Sequence, residues 1–129
     1  MPSALSRTSI GLWLPVLAYM AMLFGFSSLS TLPTPPADFS FYDVHIAAYA
    51  GLGALTARAT GRGLQNVSWR AVLFAILISS AYGITDEYHQ LLTPGRSFDV
   101  LDMAADAIGS TVGASAIGAW GRIRACVNW

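Results

Sequence analysis

Residues 82–113 read YGITDEYHQLLTPGRSFDVLDMAADAIGSTVG. This stretch holds five of the seven acidic residues, one of the two histidines and one isolated arginine, Arg96. Apolar runs flank and interrupt it. A carboxylate at membrane depth is costly, so a cluster of them between such runs points to function. Within it, Thr93-Pro94-Gly95-Arg96 is a tight turn, because Pro-Gly is a strong turn signal. The turn separates the end of one helix from the start of the next, and its shortness makes those helices antiparallel neighbours.

On the first of these helices Asp86, Glu87 and Gln90 fall within about 100° of one another, with His89 about 60° to the other side of Asp86. On the second, Asp99, Asp102, Asp106, Gly109 and Gly113 are spaced by three, four, three and four residues. That spacing is one narrow stripe, acidic at one end and glycine-lined at the other. Ala105, Gly109 and Gly113 form a small-xxx-small series, which lets another helix come close. Ser97 is the expected N-cap of this helix, and Asp99 in its first turn suits the positive end of the dipole. Asp106 lies roughly 13 Å along the helix from Ser97. Unpaired at that depth, its carboxylate would cost about 2.5–3.5 kcal/mol. It therefore needs a proton, a partner in His45 or Arg96, or a bound cation.

The 129 residues are 54% hydrophobic and 11% charged, with mean hydropathy +0.53. Soluble domains carry about 25% charge, so a membrane protein is the simplest explanation. A soluble four-helix bundle would need far more surface charge. By length the chain is one domain, 1–129. All seven basic residues are arginine and the net charge is zero, which leaves no polybasic case for nucleic acid. The one cysteine, Cys126, has no partner for an internal disulfide.

Ile10 to Phe26 is an uncharged run, long enough to span once its flanks are added, with a local kink expected at Pro15. A signal peptide is the competing reading, but no small-x-small cleavage site immediately follows Phe26. Ser27 to Tyr42 is a loop, since Pro33, Pro35 and Pro36 cannot sit inside a helix. Asp43 is the expected cap of the second helix, where His45 and Tyr49 share a face and Gly51 and Gly53 permit close packing. The third helix starts near Ala71. The expected fold is thus an all-α integral membrane bundle of four antiparallel helices, at about residues 10–28, 44–60, 70–92 and 98–120. Six of the seven arginines lie at the N-terminus, at 58–70 and at the C-terminus, while the acids lie in or beside the other two loops. The positive-inside rule then puts both termini in the cytoplasm and the acidic cluster outside.

From the residues alone, His45, Asp86, Glu87, Asp102 and Asp106 are the candidate catalytic groups. Tyr49, His89, Gln90 and Arg96 are the candidate ligand contacts. Glu87, Asp102 and Asp106 are also candidate ligands for a divalent cation such as Mg²⁺, Mn²⁺ or Zn²⁺, although their spacing matches no known metal motif. Structural readings stand beside these. Asp99 serves only its helix dipole; Arg96 only neutralises Asp99 or Glu87; Tyr49 and Tyr82 sit in an aromatic belt; His89 points into headgroups; Asp102 and Asp106 form a structural network.

The run DEYHQLLTPGRSFDVLDMAADAIG resembles the signature of the VanZ-like family, carried by Asp86, Glu87, Gln90, Pro94, Gly95, Arg96, Asp102, Asp106 and Gly109. FGFSSLSTLP, with Ser27 and Ser28, resembles the family's first helix end, and HIAAYAGLG, with His45 and Tyr49, its second-helix element. The family's Asp-Lys pair upstream of this histidine is replaced by Phe41 and Tyr42, and Asp43 lies two residues before it. The founding member raises resistance to teicoplanin-type lipoglycopeptides, and many members have no antibiotic setting. The resemblance implies a multi-pass protein of a bacterial-type plasma membrane. It would bind or act on a lipid-linked envelope precursor or a lipoglycopeptide, in contact with membrane lipid. A metal-dependent hydrolase or phosphotransferase, or a small proton- or ion-coupled transporter, are the alternatives, and an oligomer stays open.

Overall fold

The computed structural model describes residues 4–127, with side chains from Thr8 onward. Arg7, which enters the charge argument, has its side chain outside the described residues. Four helices make up the fold: α1 (Ala4–Ser27), α2 (Phe41–Thr60), α3 (Trp69–Gln90) and α4 (Val100–Val127). Among the described residues there is no strand.

Three helix starts differ from expectation: α1 begins at Ala4, six residues before the expected start near Ile10, and the caps of α2 and α4 are displaced. Ser40, not Asp43, caps α2. The Ser40 hydroxyl accepts from the Asp43 N–H (3.3 Å), and Asp43 Oδ2 accepts from the Ser40 N–H (2.7 Å), a reciprocal capping box. Asp43 thereby becomes the third residue of the helix, which gains a turn. At α4 the cap is Asp99 instead of Ser97: its Oδ1 accepts from the Leu101 N–H (2.8 Å), and its carbonyl from the Asp102 N–H (3.1 Å). At its other end α4 runs past Trp120 to Val127. There Gly121 gives room to the loop before α3, whose Asn66 N–H donates to the Gly121 carbonyl (3.3 Å).

Pro15 lies inside α1. Having no N–H, it frees the carbonyl of Gly11 one turn earlier. Arg58 of α2 reaches that carbonyl through Nη1 (3.4 Å).

Helix α2 packs on all three others. Its approach to α4 is backbone to backbone. A Cβ on Gly109 would collide with the Ile46 carbonyl oxygen, one on Gly113 with that of Ala50, and one on Gly53 with that of Ser110. The small-residue stripe of α4 therefore seats α2, where the sequence suggested only some neighbouring helix. Tyr19 of α1 lies across Gly51 and donates to the Ala48 carbonyl (2.7 Å). Between α2 and α3, Thr60 donates to the Ala71 carbonyl (2.8 Å), and Ser79 to Thr56 Oγ1 (3.3 Å).

The distribution of polarity is inverted relative to a water-soluble bundle. Leu14, Leu17, Phe74, Leu77, Ile108 and Val112 are each more than half exposed, whereas Glu87 is 0% and Asp106 1% exposed. Two helical segments, Thr8–Ser27 and Val100–Val127, are long and apolar enough to cross a membrane. By composition α2 and α3 do not reach that mark. Their polar residues Thr56, Ser79, Asp86, Glu87 and Gln90 are all buried inside the bundle.

Candidate functional site

The site lies at the end of the bundle that carries the α3–α4 turn. The α4 stripe that seats α2 carries Asp102 and Asp106 two turns and one turn before its glycines, so both acids face α2. His45 meets them there. Its Nδ1 lies 2.7 Å from Asp106 Oδ1, and its Nε2 lies 3.7 Å from Asp102 Oδ2. Of the three partners sequence logic allowed Asp106, the structure supplies His45. Gly83 of α3 makes the seat: a Cβ there would come within 2.8 Å of Asp106 Oδ2. That oxygen and Glu87 Oε2 are buried with no hydrogen-bond partner among the described residues.

Glu87 caps from outside the helix it serves: its Oε1 accepts from the Asp99 N–H (2.6 Å), tying α3 to the start of α4. The Tyr42 hydroxyl donates to Asp99 Oδ2 (2.9 Å), so α2 joins the same knot. Asp86, one residue earlier on α3, turns the other way. Its Oδ1 accepts from the Ser27 hydroxyl (2.5 Å) and its Oδ2 from the Tyr49 hydroxyl (3.3 Å). Tyr49, 1% exposed, is thus an interior ligand of Asp86 and not a belt residue. Tyr82 likewise spends its hydroxyl on the Met20 carbonyl (2.6 Å).

Two adjoining cavities open onto these groups. One, of ≈ 420 Å³, lies between α1, α2 and the 28–40 loop; Leu23, Phe26, Leu32, Pro35 and Ala48 give it apolar walls, with Asp86 and Tyr49 at its polar edge. The other, of ≈ 650 Å³, is bounded by Tyr42, Ser97, Asp99 and Asp102. His45, Gln90, Arg96 and the loop residues Leu32, Pro35 and Pro36 line both. The proline loop is therefore a wall of the site, which its composition did not reveal.

Arg96 does not neutralise Asp99 or Glu87. Both ion pairs among the described residues belong to His45, while Arg96 Nη1 donates to the Leu29 carbonyl (3.2 Å). His89 lines neither cavity. It stacks on Phe24 (centroids 4.2 Å apart), and its Nε2 lies 3.0 Å from the Ser28 hydroxyl, so it joins α3 to the end of α1. Ser27 and Tyr42 are the contributors that the sequence candidates omitted. Ser27 stood only within the quoted family motif, and Tyr42 only as a departure from it.

No three His, Cys, Asp or Glu side chains among the described residues form a group that could hold a metal ion. The acids near one another are each engaged by a protein donor: Ser27 and Tyr49, His45, or a backbone N–H. The arrangement can hold a proton between His45 and Asp106, with Asp102 in ion-pair range of the same ring, and it can present Arg96 and hydroxyls to a molecule in the cavities.

An all-helical bundle with interior carboxylates and an apolar exterior defines the class. A family model described as VanZ/LLP1 matches residues 10–121, and the chain belongs to that family. Neither a curated protein nor a solved structure matches it.

Proposed function

We propose that this is a multi-pass membrane protein, one VanZ-type domain, which binds an amphiphilic envelope ligand at its outer face. The four helices cross the bilayer antiparallel with both termini in the cytoplasm. Support for the crossing comes from the exposed apolar band, and from contacts that run α2 and α3 in opposite directions: Thr60, at the end of α2, meets Ala71, at the start of α3, while Tyr49, in the first half of α2, meets Asp86 near the end of α3. Support for the orientation comes from the arginines gathered at the opposite end from the acids.

The observation that carries the ligand reading is the pair of adjoining cavities. An apolar one of ≈ 420 Å³ shares His45, Gln90 and Arg96 with one edged by Asp99 and Asp102. Such a site suits a molecule with an apolar tail and a polar head, and its size is that of small-molecule pockets. Through the family, which is associated with glycopeptide resistance, a teicoplanin-type lipoglycopeptide or a lipid-linked envelope precursor is the natural occupant. His45, Tyr49, Gln90 and Arg96 contact it, and Asp86, Asp102 and Asp106 hold those contacts in place.

The test is thermal unfolding of the purified protein in phosphatidylcholine nanodiscs with a teicoplanin-type lipoglycopeptide and with the same glycopeptide lacking its acyl chain. Stabilisation by the acylated form alone is expected. No response to either, nor to any envelope lipid, overturns the reading.

A second reading draws on one observation. His45 is hydrogen-bonded to a closed interior carboxylate and lies 3.7 Å from a cavity-facing one, an arrangement that suits a proton relay once the ring shifts. Proton-coupled movement of the ligand would use it, and pH-jump flux in proteoliposomes tests that use.

A further inference from the structure

Arg96 sits where the two cavities meet, and its electrostatic situation differs from that of every acid around it. Each carboxylate bordering the cavities already has a partner. Asp86 has Ser27 and Tyr49, Asp99 has the Leu101 N–H and Tyr42, and Asp102 faces the His45 ring. Arg96 makes no ion pair among the described residues, though five acids lie within the stretch of chain around it. A guanidinium has five N–H donors in a flat fork. One of its nitrogens, Nη1, is taken by the Leu29 carbonyl (3.2 Å). That bond fixes the side chain to the end of the 28–40 loop and leaves most of the fork for something else. Beside it are the apolar walls formed by Leu23, Phe26 and Ala48. A cation with no ion pair in contact with it, at the mouth of an apolar cavity, is complementary to an oxyanion attached to a chain.

From this we infer that the ligand is an anionic amphiphile. Its alkyl or prenyl chain lies in the ≈ 420 Å³ cavity, and its phosphate or similar oxyanion is held by the Arg96 fork. Whatever is linked beyond the oxyanion lies in the ≈ 650 Å³ cavity, beside Tyr42, Ser97 and Asp102. This assignment rests on the amphiphile reading above and adds the charge and its place. Gln90, buried and shared by both cavities, lies alongside. The two-cavity order of tail, anion and head makes the class a lipid phosphate, with neutral amphiphiles of the same chain length held more weakly.

The experiment uses the full chain in phosphatidylcholine nanodiscs and three probes: dodecyl phosphate, dodecanol and inorganic phosphate. Dodecyl phosphate is expected to bind about tenfold or more tightly than dodecanol, the effect of one charge-assisted contact. Inorganic phosphate is expected to have no effect at the same concentration. In Arg96→Gln the advantage of dodecyl phosphate over dodecanol disappears while dodecanol binding persists. Arg96→Lys keeps part of the advantage, since the charge remains and the fork is lost. Equal binding of dodecyl phosphate and dodecanol by the wild type overturns the anion site and leaves the amphiphile reading standing. Absence of binding by both overturns the two together. Inorganic phosphate binding as well as dodecyl phosphate overturns the role of the chain. Because the wild-type comparison decides the matter, a variant that fails to fold does not protect the inference.

Discussion

One imidazole joins a sealed carboxylate to an open one: His45 Nδ1 lies 2.7 Å from Asp106 Oδ1, a residue 1% exposed, while Nε2 of the same ring lies 3.7 Å from Asp102 Oδ2. Truncating the histidine strands a buried acid whose other oxygen is already unpartnered. His45→Ala is expected to cost about 3–5 kcal/mol, the range for breaking a buried pair from one side. Asp106→Asn removes the charge itself and should cost less. The double variant His45→Ala/Asp106→Asn should therefore be more stable than His45→Ala alone. Denaturant unfolding in detergent measures all three. Unchanged stability in His45→Ala would mean that Asp106 does not depend on the ring.

The glycines divide into two kinds, and the division is testable. Gly109 and Gly113 lie against the Ile46 and Ala50 carbonyls, whereas Gly11 and Gly25 have nothing near the position of a Cβ. Gly113→Ala must push α2 away from α4 and move His45 off Asp106. A loss of about 1–3 kcal/mol is expected, as for other overpacked contacts. Gly25→Ala, on α1, should be neutral or gain about 0.5–1 kcal/mol from helix propensity. Thermal unfolding of the two variants side by side reads the difference; similar losses in both would show that helix flexibility, and not contact, is what these glycines provide.

Much of this arrangement was legible in the chain because periodicity is local. The three-four-three-four spacing of Asp99 to Gly113 places acids and glycines on one face whatever that face meets. What it meets was not legible. The stripe seats α2, whose Ile46 and Ala50 carbonyls lie against Gly109 and Gly113, and spacing within α4 carries no information on which helix comes close. The caps were misplaced for a different reason. Ser40 and Asp43, and again Ser97 and Asp99, are both good capping types a few residues apart, and propensity does not rank them. Ser27 escaped notice because its partner, Asp86, is 59 residues away. Nothing about three prolines says over which cavity a loop will lie.

Orientation has a simple chemical test in the lone cysteine. Cys126 is exposed near the end of α4, and Leu92, on the turn after α3, is 81% exposed. With both termini cytoplasmic, a membrane-impermeant maleimide should leave Cys126 unlabelled in intact cells and label it after permeabilisation. Leu92→Cys in a Cys126→Ser background should react from outside at once. Reaction of both positions from the same side would contradict an α4 that crosses the bilayer.

Divalent cations make the last discrimination, because the same carboxylates serve two chemistries. A metal-dependent hydrolase needs Glu87, Asp102 and Asp106 to converge with free lone pairs on one ion. Here Glu87 Oε1 is spent on the Asp99 N–H, and Asp106 Oδ1 on His45. Their remaining oxygens belong to no metal-holding group among the described residues. Binding a cation would have to displace the His45 contact and part of the α4 cap, so the stabilisation gained by ligation would be offset by the bonds given up. Mg²⁺, Mn²⁺ and Zn²⁺ are accordingly expected to leave the unfolding temperature of the wild type unchanged. Asp106→Asn should respond no differently. If one cation raises the wild-type midpoint by several degrees and Asp106→Asn abolishes the rise, the hydrogen-bonded network is instead the resting form of a metal site, and hydrolysis becomes the better account of the cavity.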